Sequence, residues 1–241
     1  MCGRYATTRS SADLSSLFDA TDDTDEEIAP DYNVAPTDPV PIVRMSASAG
    51  GRVVSVARWG LVPSWAQDRR VGARMINARA ETVATMKAFA KPFATRRCLI
   101  PATGWYEFAA PPATAPAKAR KQPYFMTPYN QGPVVFGGLW SVWGPPGERL
   151  ITCSIVTTAA LGDLRSVHNR MPLFLGPDRW SSWLTAADDL DSLLVPPTDE
   201  EIAALEIRPV GYAVGDVRND GPQLVERVDL YPIEPVDLTL F

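Results

Sequence analysis

The chain has 241 residues, 46% of them apolar and 21% charged, with a net charge of −5. These proportions exclude a mainly disordered chain and supply enough apolar material for one core. The longest mostly apolar stretch, Val134 to Trp143, is too short to span a membrane. Residues 1–30 show no apolar leader core, so a cytoplasmic protein with no membrane partner is expected. Cys2, Cys98 and Cys153 form an odd, sparse set without a CxxC pair. That pattern fits a reducing compartment, and its spacing to the sole histidine, His168, matches no zinc site. No metal and no cofactor are expected.

In chain order, Ser10 or Ser11 caps a short helix with Leu14, Leu17 and Phe18 on one face. The acidic stretch 19–31 reads as a solvated loop. Val40–Arg44 and Arg52–Arg58 predict strands about a Ser/Gly turn at Ser46–Gly51. Ala80–Ala90 has helical composition and is expected to stop before Pro92. Cys98–Ile100 and Gly104–Phe108 are strand-like, and the Pro/Ala/Lys-rich segment 109–122 reads as an exposed loop. Tyr124–Thr127, Val134–Val142 and Leu150–Thr157 predict strands, the last two strongly apolar. Helical segments follow near Asp178–Leu184, Asp188–Val195 and Asp199–Glu206, then short strands over 207–234. Strands and helices mix without regular βαβ spacing. The expectation is one α+β domain over 1–241, its coiled antiparallel β-sheets forming a barrel-like core flanked by short helices, with 220–241 as a C-terminal tail.

Charge is unevenly spread. Residues 1–125 carry 16 basic and 12 acidic side chains, and residues 126–241 carry 7 and 16. Between Arg44 and Arg97 there are 11 basic residues against Asp68 and Glu81 alone. A polarised molecule with a basic face can bind phosphates despite an acidic total.

Four residues suggest chemistry. Removal of Met1 would leave Cys2 with a free α-amine beside its thiol, two nucleophiles on adjacent carbons that both titrate near neutrality. Such a pair can close a thiazolidine ring on an aldehyde, or the thiol can act alone on an amide. Cys2 can equally be a small residue starting a strand. His168 lies among polar neighbours in Ser166–Pro172 and suits proton transfer, although a lone histidine is also a common structural residue. Glu107, between Trp105, Tyr106 and Phe108, is either a desolvated acid with a raised pKa or a solvent-facing strand residue. Asn77 precedes the expected helix at 80–90 and can serve as its cap.

A collinear set of short blocks runs through Met-Cys-Gly-Arg at 1–4, Tyr-Asn-Val-Ala-Pro at 32–36, Trp-Gly-Leu-Val-Pro-Ser-Trp at 59–65 and Asn-Ala-Arg-Ala-Glu-Thr at 77–82. Arg-Cys-Leu-Ile-Pro at 97–101, Gly-Trp-Tyr-Glu-Phe at 104–108, Thr-Thr-Ala at 157–159, His-Asn-Arg-Met-Pro at 168–172 and Val-Gly-Asp-Val-Arg-Asn at 214–219 continue it. In these blocks and their order the chain resembles the SRAP family, the SOS response-associated peptidases that include abasic-site DNA–protein crosslinkers. The resemblance implies Cys2 as nucleophile toward an abasic sugar in single-stranded DNA, ending as a thiazolidine. It implies Glu107 as the acid that opens the sugar ring, His168 as proton carrier and Asn77 as a hydrogen-bonding partner. Arg4, Arg79 and Arg170 would hold phosphates, Thr157 would add a hydroxyl contact, and Pro36 and Trp65 would pack on flanking bases. Two positions depart from the pattern: Ala66 stands where some relatives carry a second tryptophan, and Asp216 where some carry asparagine. The expected partner is single-stranded DNA containing abasic sites, bound by a monomer, with self-cleavage of the N-terminal residue implied by the family's name. The alternative is an N-terminal-nucleophile amidohydrolase of the glutamine amidotransferase type, which also begins Met-Cys-Gly.

Overall fold

A computed structural model describes residues 2–25, 27–116 and 118–230. Its strands are β1 (Tyr5–Thr7), β2 (Thr21–Asp22), β3 (Asp31–Val34), β4 (Pro39–Ser46), β5 (Gly51–Trp59), β6 (Asn77–Arg79) and β7 (Arg97–Ala102). They continue with β8 (Gly104–Ala109), β9 (Gln122–Pro128), β10 (Val134–Trp143), β11 (Leu150–Ala159), β12 (Arg170–Pro172) and β13 (Leu205–Pro209). The helices are α1 (Ser11–Phe18), α2 (Ala90–Thr95), α3 (Pro177–Thr185) and α4 (Asp199–Ala203).

Five strands close on themselves. β4 and β5 form a hairpin in register from Pro39↔Arg58 to Ser46↔Gly51. β4 pairs with β7, β7 with β10 and β10 with β11, all antiparallel. β11 then returns to β5 through the parallel pairs Thr152↔Arg58 and Cys153↔Trp59. Side chains alternate across this barrel wall because the strand period is two. Val40, Ile42, Cys98, Ile100, Phe136, Cys153 and Ile155 fill one core. Their neighbours Val43, Leu99, Val135 and Val156 face a second core with Phe18, Trp180 and Trp183 of α1 and α3. Burial on both faces is why β10 and β11 read as nearly continuous apolar runs.

A second antiparallel sheet, in the order β13-β9-β8-β1-β3, covers the barrel. Tyr5 and Trp105 of this sheet enter the barrel core, where Tyr5 meets the Trp59 ring edge-on at 5.1 Å and Trp105 meets Phe136 at 6.0 Å. The α+β class and barrel-like core expected from the sequence are therefore present. Parallel pairs of β5 and β6 with β11, and of β2 with β5, are added to the antiparallel ones.

Several local expectations change. Residues 81–89 form successive turns, not a helix, and Val83, Ala88 and Phe89 bury into one core at a spacing that no single helical stripe gives. The helix starts instead at Ala90, with Pro92 in its first turn, where a missing N–H costs nothing. Asn77 is thus no helix cap but the first residue of β6. Within the acidic stretch 19–31, Thr21–Asp22 pairs with β5 and Asp31 opens β3. The helix expected to reach Glu206 stops at Ala203, because Leu205 buries and residues 205–209 pair with β9. The segment near 188–195 is a 3-10 turn at Leu190–Leu194. Beyond β13, 3-10 turns at Tyr212–Gly215 and Pro222–Val225 and one Val210↔Arg227 bridge replace the expected strands, and residues 231–241 lie outside the described residues.

One close approach aims β6. Gly60 and Gly72 meet backbone to backbone: a Cβ on Gly72 would lie 2.4 Å from Gly60 O, and one on Gly60 would lie 2.5 Å from Gly72 O. Only glycines let the 69–76 segment fold back here and deliver Asn77 beside β11. Gly72→Ala is expected to cost about 1–3 kcal/mol, read as a lower urea midpoint; an unchanged midpoint would show that the crossing relaxes freely.

Candidate active site

The site forms where the covering sheet meets the far end of the barrel. Tyr5↔Trp105 pairing, extended by the Tyr106 N–H bond to Arg4 O at 2.9 Å, runs the first residues alongside Glu107. From the barrel side, β6 follows β11 in parallel, with Asn77 level with Ile155 and Arg79 with Thr157. Asn77 Nδ2 donates to Cys2 O at 2.8 Å. Its Oδ1 is buried with no hydrogen-bond partner among the described residues, an acceptor aimed where a donor would be satisfied.

Cys2 and Glu107 are both buried. Burial, reinforced by the Glu107 charge, pushes the Cys2 thiol well above its ordinary pKa. Burial likewise raises the Glu107 carboxyl to about 7, against opposing positive charge that includes Lys121. Glu107 is thus the desolvated acid and not a solvent-facing residue: near neutrality it holds a proton that it can give and take back. Cys98 and Cys153 are also buried with raised pKa values, but deep in the barrel core.

His168 follows a 3-10 turn at Gly162–Ser166, and its N–H bonds Leu164 O at 3.0 Å. Its Nδ1 lies 2.9 Å from Arg170 N and 3.3 Å from Arg170 O, accepting from the first or donating to the second according to the tautomer. Partial burial, with the charges of Lys121 and Arg170, lowers the His168 pKa. The ring is therefore neutral at pH 7.

The arginines divide. Arg170, on β12, donates to Thr157 O at 2.7 Å and, through a fork at 2.6 and 3.0 Å, to both oxygens of Glu81. Arg79 is exposed. Arg4 turns inward: Nη1 donates to Asn33 Oδ1 at 2.8 Å and Val214 O at 3.0 Å. Thr157 is fully buried and seats Arg170 from behind. Pro36 is half-buried in the turn where Asp38 N bonds Ala35 O at 3.1 Å, and the next residue, Thr37, takes a left-handed φ of 84°. Trp65 is 55% exposed, with Lys87 Nζ 4.9 Å from its ring centre.

Cys2, Asn77, Glu107, His168, Thr157 and Arg170 thus gather around one corner, whereas the bonds of Arg4 run into the 214–219 segment. Sequence reasoning gave no role to three residues. Asn33 is buried and joins Arg4 to the Asp216 and Asn219 carbonyls. Lys121 bears on both Glu107 and His168. Glu81 closes the fork on Arg170. Only Asn33 and Glu81 lay inside quoted sequence blocks, and neither block tells which residue it meets. Among the described residues, no group of three His, Cys, Asp or Glu could hold a metal ion, and no helix is long and apolar enough to cross a membrane.

The model of the SOS response associated peptidase (SRAP) family matches residues 1–217, and the chain belongs to that family. It is 32% identical over 234 residues to the abasic site processing protein YoqW of Bacillus subtilis, covering 94% of this chain and 99% of that one. It is 28% identical over 244 residues to the abasic site processing protein HMCES of Rattus norvegicus, covering 85% and 67%. In fold it is similar to the crystal structure of a Bacteroides thetaiotaomicron protein, with a TM-score of 0.80 at 23% identity over 94% of this chain and 100% of that one.

The Glu107 carboxyl has a testable linkage. Its folded pKa lies above the ordinary value, so between about pH 4.5 and 7 the folded state binds more protons than the unfolded chain. The stabilising contribution is full below the unfolded pKa and is lost as pH rises through 7. Urea titrations should show Glu107→Gln gaining on the natural protein by up to about 3 kcal/mol across that window. Parallel pH profiles would place the Glu107 pKa at its ordinary value.

Proposed function

We propose that this protein recognises abasic sites in single-stranded DNA and, once Met1 is removed, captures the open-chain sugar aldehyde on Cys2 as a thiazolidine, shielding the lesion. The observation that carries this reading is the convergence of Glu107 and Asn77 on Cys2: a buried acid titrating near neutrality and an amide holding the first peptide in place.

The chemistry follows from these groups. The closed sugar is unreactive toward amines, so Glu107 gives its proton to the ring oxygen as the neutral His168 ring takes one from the C1 hydroxyl, freeing the aldehyde. The Cys2 thiol is held protonated by burial, so the α-amine attacks first and forms a carbinolamine. His168, now an imidazolium, returns that proton to the departing hydroxyl, and water leaves to give the protonated imine. Glu107, now a carboxylate beside Cys2, takes the thiol proton as sulfur adds to the imine carbon. The sum is aldehyde plus aminothiol giving thiazolidine plus one water, with no external reductant or metal. Tethering both nucleophiles to one bound aldehyde supplies much of the acceleration. Asn77 Oδ1 would accept from the newly freed amine.

Binding would rest on phosphates and stacking, which carry no base code. Arg79 and Arg170 are assigned to phosphates, with Thr157 acting through Arg170. Arg4, tied to Asn33, would offer only its remaining guanidinium edge. Pro36 and the exposed Trp65 ring would pack on flanking bases. A cytoplasmic monomer fits this work, and self-removal of the N-terminal residue is the extent of peptidase action proposed.

Denaturing electrophoresis after incubation with abasic single-stranded DNA tests the reading. A covalent band is expected from the natural protein and from Cys98→Ala and Cys153→Ala. Cys2→Ala, or a chain that keeps Met1, should form no thiazolidine. Loss of the band only in a Cys98 or Cys153 variant would sink the assignment, and glutamine hydrolysis without a band would favour the amidohydrolase.

Single-turnover rates separate the two proton carriers. Glu107→Gln and His168→Ala should each slow crosslinking by about 10²–10⁴-fold. An analogue locked as the open aldehyde should rescue Glu107→Gln more than His168→Ala. Equal rescue would mean that the proton transfers are wrongly divided.

A further inference from the structure

None of the steps above uses the Glu81 carboxylate. It lies two residues after Arg79, at the start of the turns that follow β6. Its oxygens face the Arg170 guanidinium fork to fork. The same planar pairing fits arginine to a phosphate. The partners are unequally held. Arg170, its side chain 15% exposed, is pinned from behind by Thr157 O, and its backbone N–H is engaged by His168. The Glu81 side chain is 52% exposed. The Arg170 hydrogen bonds and the charges of Arg170 and Arg79 hold the Glu81 carboxyl below its usual pKa, so the group is a full anion between the two arginines assigned to phosphates.

We propose that Glu81 is an internal stand-in for a DNA phosphate: it occupies the outward edge of Arg170 in the unbound protein, and a phosphodiester of single-stranded DNA displaces it on binding. The inference rests on reading this corner as a DNA-binding surface. The exposed glutamate is the member that can swing away, while the pinned arginine stays in the plane the phosphate needs. Exchanging one anion for another returns little net energy at this position. Glu81 therefore keeps the affinity for undamaged strands low and leaves the covalent step to select the lesion.

Fluorescence anisotropy with an undamaged single-stranded oligonucleotide, over a salt series, tests the displacement. Glu81→Gln keeps the size of the side chain and one acceptor for Arg170 but removes the charge. It should bind about two- to fivefold more tightly at low salt, with a salt slope steeper by up to about 0.7. Glu81→Ala should move in the same direction, and the gain should vanish in the Arg170→Ala background. Equal or weaker binding by both Glu81 variants would overturn the proposal, since the carboxylate would then serve to hold Arg170 in place. So would a gain that persists without Arg170. If the natural protein shows no salt-dependent binding, the DNA-binding reading falls and takes this inference with it. Natural binding without the Glu81 gain removes the displacement alone.

Discussion

The architecture hangs on strand β11, which is paired along both edges. One edge takes β10 and then β12, and the other takes β5 and then β6. The first half of the strand closes the barrel, and the second half holds Asn77, Arg79 and Arg170 at fixed registers around Thr157. Closing the barrel and aligning the polar groups are therefore one event. Backbone pairing along a strand buried on both faces leaves little freedom for slippage, since a one-residue shift would turn every apolar side chain to the wrong core.

The second half of the site comes from the covering sheet, and its chemistry follows from burial. A carboxyl removed from water holds its proton to about pH 7, and the thiol beside it is kept from ionising. Neither group is a strong nucleophile or base at rest. In the proposed mechanism reactivity waits for the substrate, whose ring oxygen would take the first proton and leave a carboxylate next to the sulfur. On that proposal, burial both protects the cysteine and orders the steps through the same desolvation. His168 is governed likewise, because burial, with its positive neighbours, lowers its pKa and keeps the ring neutral at rest.

Legibility in the sequence followed periodicity. β4, β5, β10 and β11 could be read because eight to ten residues of apolar pattern leave little choice. β1, β6 and β12 have three residues each and no period of their own, so only their partners define them. Composition also overstated the basic face. Of the residues between Arg44 and Arg97, Arg97 is buried and bonds carbonyls at the ends of α2 and α3, Arg44 pairs with Asp23, and Arg52 bonds Phe18 O. A charge count cannot tell a structural arginine from one that faces solvent. The nature of Cys2, Glu107, His168 and Asn77 was visible as residue types in order, but the bond from Asn77 to Cys2 crosses 75 positions and that from Arg170 to Glu81 crosses 89. Such pairs exist only once the strands are in register.

The central claim is that both nucleophiles of one residue close on a single aldehyde. Intact mass and peptide mapping of the covalent product with abasic single-stranded DNA test it most directly. The account predicts a chain lacking Met1, joined to the full DNA strand with loss of one water, and with both the nitrogen and the sulfur of Cys2 blocked. An adduct carried by a chain that retains Met1, or mapped to Lys121 or another side chain, would contradict it.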